Sequence, residues 1–390
     1  MTTLLVVLLI AGLLGSSYSY FIYPLLLGLL PKRKRNAGDP AMAAETLPEV
    51  SVIVACYNEE AQLAEKLDDT LSNGYPLDRL EIIVASDQST DRTHEIAQGY
   101  ADQHVRLVIS DRRLGKEHAQ GLALSQAKGA IIVFTDAGAK MSPGSILQIT
   151  KRLREPEIGA VSSEDKVLSA DGRPVGEGLY QKYEMWIRRI ESEKLSLIGL
   201  TGALFAARRQ ACEPWDATVD SDFNTALNCI RNGLVAVSDP SVQCLYQDLG
   251  DDRREYQRKV RTMLRGMTCL ARHREMLNPI VRPAVSWQLW SHKIGRYLVP
   301  LFMGLLLATT AITLCLAVPD WLFRVSLGLM IWQIAFYAIA LTGMLWHSSR
   351  RWTPIRVVSF FMMANTAALQ AGLLFLRGKR ISVWNPSQRA

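Results

Sequence analysis

VSVIVACYNEEAQLAEKLDDTLSNGYPLDRLEIIVASDQSTDRT, residues 50–93, holds the two periodicities that decide the fold. VSVIVA (50–55) and LEIIVAS (80–86) are short β-branched runs, apolar almost throughout, as strands buried on both faces are. Between them EEAQLAEKLDDTLS (59–72) spaces its apolar residues as a helix does. The unit then repeats. DRTHEIAQGYADQ (91–103) predicts a helix, VRLVIS (105–110) a strand, KEHAQGLALSQA (116–127) a helix and AIIVFT (130–135) a fourth strand. Strand–helix–strand units join parallel neighbours through right-handed crossovers, so the expectation is an α/β domain with a mostly parallel sheet flanked by helices.

Ligands of such sheets bind outside the carboxyl ends of the strands. The residues there are CYNEE after the first strand, SDQSTDRT after the second, DRRLGK after the third and TDAGA after the fourth. Singly, Asp87 and Ser89 read as helix N-caps, Asn58 as a turn former and Lys116 as a solvated charge. Together, acids, hydroxyls and a Gly-Lys pair on one rim point to a binding site. No GxGxxG follows the first strand and GxxxxGK[ST] is absent, which disfavours a dinucleotide fold and excludes a P-loop.

Outside this middle segment the chain is greasy. Of 390 residues 49% are hydrophobic, and the excess sits at the two ends. The net charge of +7 comes without a lysine tract and crowds the edges of apolar segments, arguing for a membrane protein and against nucleic acid as a partner. Six cysteines without a CxxC pair suggest a reducing compartment and neither a disulfide framework nor a zinc site. Residues 4–30 read as a retained transmembrane helix, and PKRKR (31–35) behind them puts the middle segment in the cytoplasm. NAGDPAMAAETLP (36–48) reads as a linker. The expected domains are 1–47 (helix and linker), 48–285 (cytoplasmic) and 286–390 (membrane). In the last, RPAVSWQLWSHKIGRYL (282–298) reads as an interfacial helix lying at the headgroups or entering from them, with spans at 297–317, 321–346 and 357–376. HSSRRWTPIR (347–356) should be cytoplasmic. Parity then leaves RGKR (377–380) outside, against the charge rule, unless the last segment re-enters.

VSVIVACYNEE, EIIVASDQSTDRT, GKEHAQGLALSQAKG and IIVFTDAGA stand in the order and spacing of family 2 glycosyltransferases, which the chain resembles over about residues 48–285. EGLYQKYEMWIRRIES, LTGALFAARR, VDSDFN and QRKVR continue the resemblance. It implies a GT-A fold with transmembrane helices at both ends, and a multi-pass protein of the cell (inner) membrane with its catalytic domain in the cytoplasm. The implied activity is inverting transfer from a nucleotide sugar, preferentially UDP-linked, to a lipid, a lipid-linked glycan or a growing polysaccharide. Membrane lipids are expected partners; export or polymer-assembly partners stay open.

The resemblance implies that Tyr57, Asn58, Glu59 and Asp87 close on the nucleoside, with Lys116 near the nucleotide. Asp136 matches the first acid of a DxD motif that clamps Mg2+ or Mn2+ on the diphosphate, but Gly138 stands at the third position. Asp136 then holds the ribose or binds the cation directly or through water, and Glu164 or Asp165 is placed to supply the missing carboxylate. Gly202 matches the acceptor loop. Asp222 matches the catalytic base, with Asp220 as its competitor if the register slips. Gln257, Arg258 and Arg261 match a QxxRW segment that pairs with phosphate, although Thr262 replaces the Trp and puts processive polymerisation in doubt. Two other classes remain in view. One is a catalytically silent relative that binds nucleotide or partner proteins; the other is a transporter, which the few spans without an internal acid disfavour.

Overall fold

The computed structural model describes residues 1–34, 47–168, 179–247 and 252–380; all but the last two residues of the expected linker at 36–48 lie outside them. The chain forms two compact units. One comprises Met1–Leu29, Asp251–Met267 and Arg274–Arg380, the other Leu30–Gly250 with Thr268–His273. The first opens with α1 (Thr2–Ser17) and α2 (Tyr23–Leu29), joined through a wider π turn at Tyr18–Ile22.

The second unit bears the alternating pattern. β1 (Val50–Cys56), α3 (Leu63–Leu71), β2 (Leu80–Ser86), α4 (Thr93–Gln98), β3 (Val105–Ile109), α5 (Lys116–Gln126) and β4 (Ile131–Asp136) follow in turn. β1 pairs in parallel with β2 and β4, and β2 with β3. Alternation does the rest: Val52, Val54, Ile82, Val84 and Val133 fill the core on one face, while Ile53, Ile83, Ile132 and Phe134 fill it on the other. The register sets Cys56 beside Ser86 and Ala55 beside Asp136, so the turns that carry Tyr57, Asp87 and Asp136 open on one rim. The expected helix at 59–72 begins only at Leu63. Residues 59 and 60 spend their N–H groups on the neighbouring turn, Glu59 on Thr93 Oγ1 at 2.9 Å and Glu60 on Asp91 Oδ2 at 3.0 Å.

Next come β5 (Lys140–Met141), α6 (Ser145–Arg152), β6 (Ile158–Leu168), α7 (Leu179–Lys194), β7 (Leu204–Arg208), α8 (Ser221–Arg231) and β8 (Val235–Gln247). The sheet runs β3-β2-β1-β4-β7-β6-β8-β5. β7 is antiparallel to β4 and β6, and β5 to β8, so this half is mixed, unlike the parallel first half. The reversal matters for the site. It pairs Leu204, where β7 starts, with Thr135, one residue before β4 ends, and the Asp136 N–H donates to Ala203 O at 3.1 Å.

The chain closes with α9 (Asp252–Arg272), α10 (Pro283–Gln288), a π turn at Leu289–Ile294, α11 (Gly295–Cys315), α12 (Asp320–Leu345) and α13 (Thr353–Leu376). Thr2–Leu29, Pro283–Cys315, Asp320–Leu345 and Thr353–Leu376 are each long and apolar enough to cross a membrane. The expected interfacial helix at 282–298 is continuous with the span behind it. The joined helix has 33 residues, or about 50 Å at 1.5 Å per residue, well beyond the ~30 Å hydrocarbon core. The last helix, at 24 residues, has the length to span. Within this unit the two π turns meet: Trp287 Nε1 donates to the Tyr18 hydroxyl at 3.2 Å, which lies 3.0 Å from Ser291 Oγ. Gly12 lets α1 and α11 approach closely, since a Cβ there would lie 2.9 Å from Leu306 Cβ.

Candidate active site

The turns after β1 and β2 are stitched together. Asn58 takes the left-handed conformation (φ 54°), which asparagine tolerates, and its Oδ1 accepts from the Thr90 N–H at 2.8 Å. Its own N–H donates to Ser89 Oγ at 3.1 Å. The Tyr57 ring lies under the Arg113 guanidinium at 3.7 Å, a cation–π contact to the β3–α5 loop. Asp87 is 1% exposed. Its two oxygens accept from the Leu114 N–H at 2.9 Å and the Gly115 N–H at 3.0 Å. This carboxylate therefore fixes the loop that starts α5 and presents Lys116, with Gly115 at φ 106° making the bend.

Lys116 is the hub. Its Nζ donates to Asp136 Oδ1 at 2.5 Å and to Gly202 O at 3.0 Å, so the ends of β4 and the loop before β7 close on one ammonium. Burial disfavours that charge, but Asp136, Glu117 and Asp222 outweigh it and hold the lysine above its ordinary range. Gly202 faces Asp222 as well: a Cβ there would lie 3.2 Å from Asp222 Oδ2. Asp222 sits half-buried in the first turn of α8, and its Oδ1 accepts from the Phe223 N–H at 2.7 Å. Asp220 occupies the N-cap position of α8.

Asp165 ends the group on the β6 side. Burial, with a contribution from Asp136, pushes its carboxyl up to about 6, against the pull of Arg188 and hydrogen bonds from Ser163 and Tyr246. Glu164 turns to α7 instead. Arg189 Nε and Nη2 each donate to one of its oxygens at 2.7 Å, a bidentate pair that leaves the carboxylate committed to α7. Gln257, Arg258 and Arg261 belong to the first unit, on α9. There the Arg258 guanidinium forks onto Glu255 at 2.7 and 2.8 Å, and Lys259 Nζ sits 4.4 Å from the Phe360 ring centroid.

Among the described residues no three His, Cys, Asp or Glu side chains converge as an ion cage. The acids that would hold a divalent cation are Asp136 and Asp165, the first of which acts electrostatically on the second. That matches a hard ion held by one or two carboxylates and completed by water and substrate phosphate.

Residues 51–214 match the family described as Glycosyl transferase family 2. This chain carries a family 2 glycosyltransferase domain. The chain is 26% identical over 210 residues to the beta-monoglucosyldiacylglycerol synthase of Nostoc sp., a match covering 51% of this chain and 45% of that protein. It is 29% identical over 133 residues to an N-acetylglucosaminyltransferase of Bradyrhizobium elkanii, covering 32% of this chain and 71% of that one. Among solved structures it resembles the mannosyltransferase PcManGT from Pyrobaculum calidifontis in complex with GDP-Man and Mn2+. The TM-score is 0.69 at 23% identity, over 96% of this chain and 100% of that one. That likeness establishes the GT-A fold of the glycosyltransferase domain.

One supporting residue of the domain was missed in the sequence. Lys66 is 2% exposed, and its Nζ donates to Ala139 O at 2.6 Å, behind the loop that carries Asp136. Burial lowers its pKa, with Asp69 working against the fall. The signal was present: Leu63, Lys66, Leu67 and Thr70 fall at i, i+3, i+4 and i+7, so a lysine stands inside the buried stripe of α3.

Proposed function

We propose that this protein transfers a sugar with inversion from a nucleotide sugar, UDP-linked by preference, to a lipid, a lipid-linked glycan or a growing polysaccharide. The reaction takes place at the cytoplasmic face of the cell (inner) membrane. The observation that carries this reading is the double use of Gly202. Its carbonyl rests on Lys116 while its bare Cα faces Asp222, so an ammonium able to hold an anion and a carboxylate able to accept a proton meet at one residue without a side chain between them. A relative named for a glycolipid product, and four helices with the length and apolarity to cross a bilayer, support the lipid-facing part.

In this reading Asp222 takes the proton of the acceptor hydroxyl as that oxygen attacks the anomeric carbon. Lys116 holds the departing diphosphate, and Asp136 orients the donor. Tyr57, Asn58 and Glu59 line the nucleoside side, with Asp87 supporting them through the Lys116 loop. Gly202 admits the acceptor. A divalent cation at Asp136 and Asp165 would supply positive charge to the leaving diphosphate. Gln257, Arg258 and Arg261 are kept as candidate phosphate ligands.

Nucleoside diphosphate release from a panel of nucleotide sugars, with lipid acceptors present, tests the proposal on purified full-length protein. At least one donor should turn over in the wild type and not in Asp222→Asn. Equal release by both proteins for every donor would defeat it. Gly138, together with the commitment of Glu164 to Arg189, favours a second reading, a silent relative; nucleotide binding without turnover for any donor is its signature.

A further inference from the structure

The second unit contains a cavity of about 480 Å3, distinct from the residues assembled around Lys116, whose lining includes Lys32, Arg33, Arg189, Ser192, Glu193 and Ser238. Three cations line it: Arg189 is forked onto Glu164, Arg33 Nε lies 3.5 Å from Glu157 Oε1, and Lys32 pairs with the lining acid Glu193. Its walls are built. The Arg33 N–H donates to Glu193 O at 2.9 Å and its Nη1 to Leu195 O at 3.0 Å, while Lys194 Nζ donates to Leu30 O, so residues 30–33 are tied down. The Lys32–Glu193 pair (2.8 Å) is exposed on both sides, 73% and 48%, and such pairs are weak enough to exchange for a better anion.

The other polar groups suit the same ligand. Ser192 Oγ already accepts from the Ser238 N–H at 3.0 Å. Ser238 Oγ is shielded from solvent and has no hydrogen-bond partner, a hydroxyl donor left over beside these basic side chains. Ammonium, guanidinium and hydroxyl donors around a volume far larger than one water are the chemistry of a phosphate ester. The sequence supplies the context. Lys32 and Arg33 belong to the basic run directly behind the first apolar segment, where cations leave a bilayer at headgroup level.

We infer that this cavity binds the phosphate of a phosphate-ester headgroup. The ester is either that of an anionic membrane lipid or a soluble glycerol phosphate of the same chemistry. The site is separate from donor chemistry, so binding is readable without any sugar transfer.

The test uses the full-length chain in nanodiscs of phosphatidylcholine with or without phosphatidylglycerol, with retained lipid counted by native mass spectrometry. A parallel arm titrates glycerol 3-phosphate into protein in phosphatidylcholine alone and follows thermal unfolding. Lys32→Gln and Ser238→Leu, which fills the cavity, should each weaken binding about fivefold, the effect of roughly one basic contact. Lys34→Gln, in the same basic run but outside the lining, should have little effect. A response in the lipid arm assigns a lipid, and a response confined to glycerol 3-phosphate assigns a soluble ester. The inference is overturned if neither arm shows binding, if Lys34→Gln costs as much as Lys32→Gln, or if both cavity variants bind as the wild type does. Lys32→Gln touches only an exposed pair, so it keeps the test decisive should Ser238→Leu fail to fold.

Discussion

Asp165→Asn should make the protein more stable at neutral pH, although it removes a charged residue from the candidate site. The carboxyl is raised from 3.8 to about 6, chiefly by burial. A folded-state pKa above the unfolded value means that folding favours the protonated acid. The stability it contributes is present below about pH 4 and is lost as pH rises through about 6. A shift of this size corresponds to about 3 kcal/mol at 1.36 kcal/mol per unit. Asparagine imitates the protonated acid, keeping a polar group for Ser163 Oγ (3.1 Å from Asp165 Oδ1) while dropping the buried charge. Thermal unfolding of the detergent-solubilised protein between pH 4 and pH 8 measures this. The variant should match the wild type near pH 4 and gain up to about 3 kcal/mol above pH 7, a rise of several degrees for a unit of this size. A constant offset across the range, or a variant less stable at pH 8 than the wild type, would refute the reasoning. Arg188, which pulls the carboxyl down, would then be worth more to the ionised form than burial costs it.

Asp222→Asn should lower turnover ~10²–10⁴-fold with nucleotide affinity nearly unchanged, read by steady-state kinetics and calorimetry; wild-type turnover in this variant with loss in Asp220→Asn would move the base to Asp220. Lys66→Met should leave the fold intact but raise the donor KM, because Ala139 O loses its 2.6 Å partner behind Asp136. An unchanged KM with a lowered melting temperature would make Lys66 structural only. Gly202→Val should cut turnover more than Gly202→Ala, since the Ala Cβ already meets Asp222 Oδ2 at 3.2 Å; equal activities would show that the acceptor does not enter there.

The parallel half of the sheet was legible because strands buried on both faces leave unbroken apolar runs; all seven residues of β1 are buried. The same logic placed Asp87, Lys116 and Asp136 on one rim. β6 was harder, since SSEDK interrupts its apolar run and its pairing with β8 carries register shifts. The direction of β7 had no local signature, being set by partners far away in sequence. The partner of each acid was equally invisible. Lys116 reaches Asp136 across 20 positions and Arg189 reaches Glu164 across 25, and no periodicity encodes either contact. Glu164 and Asp165 are neighbours in the chain, yet alternation along β6 gives one to Arg189 and leaves the other beside Asp136.

That division bears on Gly138. Asp136, Glu117 and Asp222 all act on the one ammonium of Lys116, and Asp136 and Arg188 act in opposite directions on Asp165, so four acids face two cations before any donor arrives. A diphosphate adds further negative charge, and each like pair some 6 Å apart costs about 3 kcal/mol at an effective dielectric of 20. A further acid at 138 would deepen that deficit. Glycine there, and Arg189 on Glu164, both trim it. Lys116 and Arg188 still leave the balance negative, so turnover should require a divalent cation, and Asp136→Ala should abolish it. Asp165→Asn should raise the Mg2+ or Mn2+ concentration for half-maximal rate, while Glu164→Gln should leave that concentration unchanged. A cation titration of the three variants beside the wild type reads all of this. Full wild-type activity in excess chelator would sink the argument, and Lys116 with Arg258 and Arg261 would then have to carry the leaving-group charge.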